Sequence, residues 1–218
     1  MNAASLAAGY FDDMYARDPD PWGFTTRWYE LRKRALTMGA LPRRRYHNAF
    51  EPGCSIGILS VELADRCDRL VCTDIASQAL DAARARIGRL PVSARGTVEF
   101  RRWALGDEWA DEQFDLIVFS EVCYYLDPAS VRTTFDRAVE HLEPGGTVLC
   151  VHWRRKVPEY PMSGDQVHAI ACTTKGLSTL AHYRDEDMSI DVFTALDRDP
   201  ASVAEIEGIA SRMHASSG

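Results

Sequence analysis

The chain has 218 residues, 46% of them apolar, and a formal net charge of −7. That length and apolar content suit one domain with a full core, and they exclude a disordered or disulfide-stapled scaffold. A surface of this charge repels nucleic acid and anionic membrane, so neither is expected as a partner.

The six cysteines, at 54, 67, 72, 123, 150 and 172, form no C-x-x-C pair and no regular frame. They fall in predicted strands and helices as small hydrophobes do, which implies a reduced, cytoplasmic setting. No cationic start with a hydrophobic signal core is present, and no apolar run approaches the ~20 residues of a membrane helix. Histidines 47, 141, 168, 182 and 214 lack ligand spacing, so no metal site is expected.

Residues 1–24 read as an irregular leader, with Tyr10, Phe11, Met14, Tyr15, Trp22 and Phe24 strewn among Asp12, Asp13, Asp18 and Asp20. Within it, Asp18-Pro19-Asp20-Pro21-Trp22-Gly23 is a turn-rich loop. The aromatics suit either a lid over a pocket or the packing of a terminal segment onto the core. From Thr25 or Thr26 a helical period runs through Trp28, Leu31, Ala35 and Met38 to Gly39, and this helix would seat the lid. The basic residues Arg27, Arg32, Lys33, Arg34, Arg43, Arg44 and Arg45 read as a solvated helix face and its trailing loop. A phosphate-binding role is the less favoured alternative, because no aromatic stacking pattern accompanies them.

Tyr46–Phe50 is the first predicted strand, and Glu51-Pro52-Gly53-Cys54-Ser55-Ile56-Gly57 leads from it into a helix over residues 58–66. Two glycines four apart at that junction describe a sharp turn that exposes its amides to a ligand. The dinucleotide fingerprint fails, since Ser55 and Ile58 stand where its second and third glycines belong. The second strand, Leu70–Thr73, ends in Asp74, seventeen residues after Gly57 and close to the roughly 20 at which an acid meets ribose hydroxyls. Glu51 would repel bound phosphates but suits a sulfonium or an ammonium. S-adenosylmethionine is the cationic adenosine that fits both acids.

Ser77–Ile87 reads as a helix, Thr97–Trp103 as a third strand, and Gly106, Asp107 and Glu108 as a loop. Phe114–Ser120 is the clearest buried strand. Asp127 and Pro128 open a helix running to His141, and Pro144-Gly145-Gly146 turns into a fifth strand, Thr147–His152. Five strand-helix alternations demand a doubly wound, parallel α/β sheet. Residues 163–176 look like one more helix, and Ser178–Tyr183 with Ser189–Ala195 like a hairpin that closes the sheet. From Asp197 the chain is polar, read as a helix and a frayed tail. One domain is expected: lid and helix over 1–45, cofactor-binding core over 46–152, helix and closing hairpin over 153–196, polar tail over 197–218.

Glu51-Pro-Gly-Cys-Ser-Ile-Gly57, Thr73-Asp74, Phe114-Asp-Leu-Ile-Val118, Glu121-Val-Cys-Tyr-Tyr-Leu126 and Pro144-Gly-Gly146 resemble, in order and spacing, the class I S-adenosylmethionine-dependent methyltransferases. The nodulation protein S family of N-methyltransferases is the most similar, with an Asp-Pro-Trp leader like Asp20-Pro21-Trp22; the resemblance covers roughly residues 10–152. It implies a seven-stranded, mostly parallel Rossmann-like sheet with its last strand antiparallel and an N-terminal helical lid. It also implies methylation of a free amine on a deacetylated chitooligosaccharide or another amino sugar, with S-adenosylhomocysteine as product; the oxygen of a sugar or secondary metabolite is the alternative acceptor.

Carried over, the family's pattern places Glu51, Gly53, Ser55 and Gly57 around the methionine end, Asp74 on the ribose and Ile75 against the adenine, with Trp22 in the roof. The family's acid on the adenine amine falls at Trp103, Ala104 and Leu105, with Asp107 displaced, so backbone groups would replace it. Glu121 follows the fourth strand, where the methyl group should lie; it reads equally as a cap of the following helix. An amine must lose a proton before it attacks, and Glu121, His152 at the end of the fifth strand, or a tyrosine such as Tyr124 would accept it. Tyr124 and Tyr125 otherwise read as pocket wall or core. Two rivals are a hydrolase, because Gly53-Cys54-Ser55-Ile56-Gly57 also satisfies G-x-S-x-G with Ser55 as nucleophile, and a module that binds S-adenosylmethionine without turning it over. Nucleobase amines fit poorly, since Ser120-Glu121-Val122-Cys123 stands where a planar-amine motif belongs.

Overall fold

The computed structural model describes residues 4–91, 95–195 and 201–211. Seven strands form one sheet: β1 (Tyr46–Pro52), β2 (Cys67–Asp74), β3 (Thr97–Arg102), β4 (Phe114–Ser120), β5 (Leu142–Trp153), β6 (Leu177–Arg184) and β7 (Met188–Ala195). Their order is β3-β2-β1-β4-β5-β7-β6. β1 to β5 pair in parallel, and β7 inserts antiparallel between β5 and β6. The expected doubly wound sheet and its closing hairpin are both present.

Because side chains alternate across a strand, β4 sends Leu116 and Val118 to one face and Ile117 and Phe119 to the other, all fully buried. On the first face, α3 (Ile58–Asp65) and α4 (Ser77–Ile87) bury Leu63, Leu80, Ala83 and Ile87, and α2 (Trp28–Ala40) packs beside them. On the second, α5 (Pro128–Glu140) and α6 (Gly164–Cys172) bury Val131, Phe135, Val167 and Ala171. Asp127 caps α5 by accepting from the amides of Ala129 and Ser130, with Pro128 at the first helical position. The strand order reverses between β1 and β4, and in open α/β sheets such a switch point opens a crevice at the carboxyl ends of the strands.

Four expectations are corrected. The leader is not irregular: Ala8–Arg17 form a helix, α1, that buries Tyr15 and ends where Pro19 drives Asp18 into an extended conformation. The next helix begins at Trp28 rather than Thr25 or Thr26, and α6 stops at Cys172 rather than 176. β5 starts at Leu142 rather than Thr147, and Pro144-Gly145-Gly146 falls in a register irregularity, between Leu142 opposite Phe114 and Thr147 opposite Leu116. Finally, the basic residues are not all solvated. Lys33 is only 4% exposed, and Arg34 reaches from α2 to the Phe24 carbonyl and the Glu62 carboxylate. In the polar tail the described part holds a short helix, α7 (Val203–Ile206), while Asp197 and the final Ala215–Gly218 lie outside the described residues. No helix among the described residues is long and apolar enough to cross a membrane.

Candidate active site

A cavity of about 540 Å³ opens at the carboxyl edge of β1, β2 and β4. Its floor is the loop from Glu51 to Ile56, its sides are Asp74, Ile75, Trp103 to Gly106 and Ser120 to Val122, and Phe11, Tyr15, Trp22 and Phe24 cover it. The roof coheres through its rings: Tyr15 meets Trp22 edge-on at 5.7 Å, and Trp22 leans on Phe24 at 5.5 Å.

The loop's shape follows from its glycines. Gly53 has φ +71°, and a Cβ there would lie 2.6 Å from Val122 Cγ2. Gly57 has φ +74° and a Cβ would lie 2.8 Å from that of Ala83; it faces α4 rather than the cavity, so it sets the loop's approach without lining the site. Ser55 also takes a left-handed conformation, φ +52°, which a side chain adopts under constraint. Its N–H donates to Asp74 Oδ2 at 2.9 Å, and its hydroxyl lies 2.5 Å from that of Tyr15. The roof is thereby clasped to the loop.

Two acids face the cavity with different partners. Asp74 bridges Ser55 and Ala76 by accepting both backbone N–H groups at 2.9 Å, yet burial still pushes its carboxyl above the usual range. Glu51 is 3% exposed and accepts from Ser60 Oγ at 2.5 Å and Cys72 Sγ at 3.5 Å. No cation pairs with it among the described residues, and burial pushes it up to about 8. A buried carboxyl short of a positive partner, on the wall of a cavity, is suited to a ligand that brings its own positive charge. The residues present therefore fit S-adenosylmethionine, with the close backbone at Gly53 leaving room for it.

On the far wall, Trp103, Ala104 and Leu105 line the cavity as expected, but their backbone is partly engaged. The Trp103 amide donates to the Asp74 carbonyl and the Ala104 amide to Asp107 Oδ2 at 3.0 Å. Asp107 thus holds the loop rather than a ligand; an adenine amine donates, so a backbone carbonyl would have to take the acid's place, and that of Ala104 already accepts from the Asp107 amide.

Glu121 is no helix cap, since Asp127 fills that role. With φ +57°, it turns its carboxylate inward: Oε1 accepts from Lys33 Nζ at 2.8 Å, and Oε2 from the Tyr124 hydroxyl at 2.6 Å and the Trp153 amide at 2.8 Å. Lys33 also meets Glu30 Oε2 at 2.8 Å. Burial opposes the Lys33 charge, but the two carboxylates outweigh it and raise its pKa, so it remains an ammonium. Tyr124 is buried beside the cavity and stacks on Tyr160 at 5.0 Å. His152 is corrected: it is fully buried behind that wall, does not line the cavity, and both ring nitrogens are occupied, by the Cys123 amide and His168.

The sequence marks Tyr15 only as one of the lid aromatics and gives no site reading to Lys33, Glu30 or Tyr29, the last of which lines the cavity with its hydroxyl buried and without a hydrogen-bond partner among the described residues. The Glu30–Lys33 spacing of one helical turn was the available signal.

Residues 50–148 match the family model of a methyltransferase domain. Nodulation protein S of Rhizobium tropici is 33% identical over 135 residues, which span 60% of this chain and 53% of that protein. The chain thus matches little more than half the length of this curated relative. A crystal structure of a Pseudomonas syringae protein assigned as a methyltransferase is 42% identical with a TM-score of 0.64, covering 77% of this chain and 99% of that one. The N-methyltransferase NodS from Bradyrhizobium japonicum WM9, crystallised with S-adenosyl-L-homocysteine, is 25% identical with a TM-score of 0.77, covering 87% and 98%.

Proposed function

The chain belongs to the class I S-adenosylmethionine-dependent methyltransferases, and from that premise we propose that it methylates the amine of a small-molecule acceptor, an amino sugar or an oligosaccharide amine. The observation that carries this reading is the pairing of charges around the cavity: Glu51 without a cation at one end, and at the other Glu30 and Glu121 sharing the single ammonium of Lys33. Two carboxylates against one cation suit an arriving ammonium. The N-methyltransferase name of the Bradyrhizobium relative supports nitrogen as the methylated atom.

In this reading Glu51 and Gly53 hold the methionine end of the cofactor, Asp74 exchanges its bonds to Ser55 and Ala76 for the ribose hydroxyls, and Ile75 packs on the adenine. When bound there, S-adenosylmethionine supplies a methyl carbon on a positively charged sulfur, open to in-line displacement. The aromatic roof excludes water and fixes alignment, which is most of what such a displacement requires of the protein. Glu121, already accepting three hydrogen bonds, acts as an anionic anchor that orients the acceptor nitrogen, with Tyr124 holding Oε2 in place; the arriving ammonium releases one proton to water before the roof closes, and the neutral amine then takes the methyl and leaves as the methylated ammonium. His152, sealed behind the wall, takes no proton from the acceptor. The six free cysteines support a reducing, cytoplasmic setting. A hydrolase reading fails at Ser55, whose hydroxyl meets Tyr15 rather than a histidine.

Titration with S-adenosylmethionine and S-adenosylhomocysteine, followed by a labelled-methyl screen over amino sugars, chitooligosaccharides before and after deacetylation, and neutral sugars, tests this. Both ligands should bind and label should appear only on free amines. Label on neutral sugars would move the reaction to oxygen; binding without product from any acceptor would leave a sensing module.

A further inference from the structure

His152 on β5, His168 on α6, Asp191 on β7 and His182 on β6 form a row between α6 and the sheet. At its inner end the Cys123 amide donates to His152 Nε2 at 3.3 Å. An amide can only donate, so this nitrogen presents a lone pair and the ring's proton sits on Nδ1. Burial above all, with the Lys33 ammonium nearby, pushes the His152 pKa well below its ordinary value, which keeps the ring neutral. His152 Nδ1 therefore donates to His168 Nε2 at 3.1 Å, which leaves the His168 proton on Nδ1, against Asp191 Oδ2. Burial would raise the Asp191 carboxyl, but the hydrogen bonds from His168 and His182 hold it below the usual range. Its other oxygen accepts from half-exposed His182 Nδ1 at 2.6 Å.

An obligate donor at one end and a carboxylate at the other leave one self-consistent arrangement of protons. A second proton on His168 would face His152 Nδ1 and drive the His152 proton to Nε2, setting two N–H groups against each other at Cys123. What depends on this is the 3-10 turn Cys123–Tyr125. Tyr124 in that turn lies edge-on to the His152 ring at 5.3 Å and donates to Glu121.

We propose that His168 and Asp191 are positioning residues: acting through His152, they fix the turn that carries Tyr124 and with it the Tyr124–Glu121 pair on the cavity wall. The inference rests on the transfer-site reading of that cavity, and its test needs no turnover. In the full chain with 15N-labelled histidine, the imidazole spectrum near neutral pH should show His152 and His168 both as neutral Nδ1–H forms. A His152 Nε2–H form, or a doubly protonated His168, would overturn it. In His168→Leu, deuterium exchange at the Cys123 amide should rise about tenfold, the scale of one lost hydrogen bond, and His168→Gln, whose amide oxygen accepts from His152, should return it to within about twofold. Exchange unchanged in the first variant, or equally fast in both, would overturn the inference. The spectrum of the unsubstituted chain decides even where His168→Leu fails to fold. Failure to bind S-adenosylhomocysteine would sink the transfer-site reading and leave that spectrum as it is.

Discussion

Glu51 shows how one buried group makes the stability of the fold depend on pH. Its ordinary pKa of 4.5 rises to about 8 in the folded chain because burial penalises the carboxylate and only Ser60 and Cys72 donate to it. Between those values the folded chain binds a proton that the unfolded chain has released, so this group's contribution falls as pH rises, and the full penalty stands above about 8. The melting temperature should therefore drop more steeply from about pH 5 to about pH 8 in the wild type than in Glu51→Gln. Parallel profiles would show Glu51 already ionised in the fold. Asp74 is tested by binding: Asp74→Ala should weaken S-adenosylhomocysteine by roughly 1–3 kcal/mol in calorimetric titration, the scale of hydrogen bonds to a charged group. Unchanged affinity would remove it from the ribose.

Among the elements, α1 is a latch as much as a cover. Phe11 and Tyr15 lie one helical turn apart and point inward, Phe11 against Tyr125 at 4.9 Å and Tyr15 against Trp22 and Ser55. Tyr15→Phe keeps the ring and removes the bond to Ser55, worth about 1 kcal/mol, so S-adenosylhomocysteine should leave about fivefold faster in stopped-flow measurements while the melting temperature hardly moves. An unchanged dissociation rate would mean that the roof does not gate the cavity. This helix is hidden in the sequence because two inward residues beside Asp12 and Asp13 give too short a period to register. Phe114–Ser120 is plain because burial on both faces makes Leu116–Phe119 one apolar run, with the buried Asp115 accepting from the amides of His47 and Asn48. At the start of β5, Pro144-Gly145-Gly146 has the chemistry of a turn and keeps it: the ladder with β4 steps from Leu142 to Thr147 past these residues, and Gly145 takes φ +71°.

Across the whole molecule, what the sequence disclosed is what the chain brings together over short distances: the glycines and acids proposed for the cofactor loop and its ribose end sit within one strand-helix-strand unit, from Glu51 to Asp74. What it concealed joins distant segments, above all Lys33 of α2 with Glu121 after β4. That ion pair, 5% and 13% exposed at its two side chains, binds the N-terminal residues to the sheet at the cavity wall. If residues 1–45 belong to the same domain as the core, urea should unfold the chain in a single transition by fluorescence and by circular dichroism. Two separated transitions would divide it. Lys33→Met leaves Glu30 and Glu121 buried together without a cation and should cost about 3–5 kcal/mol of stability. Adding Glu121→Gln removes one of the stranded charges, so the double variant should lose less than the sum of the two single losses. Strict additivity would mean that Lys33 and Glu121 do not interact, and the link between the roof-bearing segment and the reaction edge of the sheet would have to lie elsewhere.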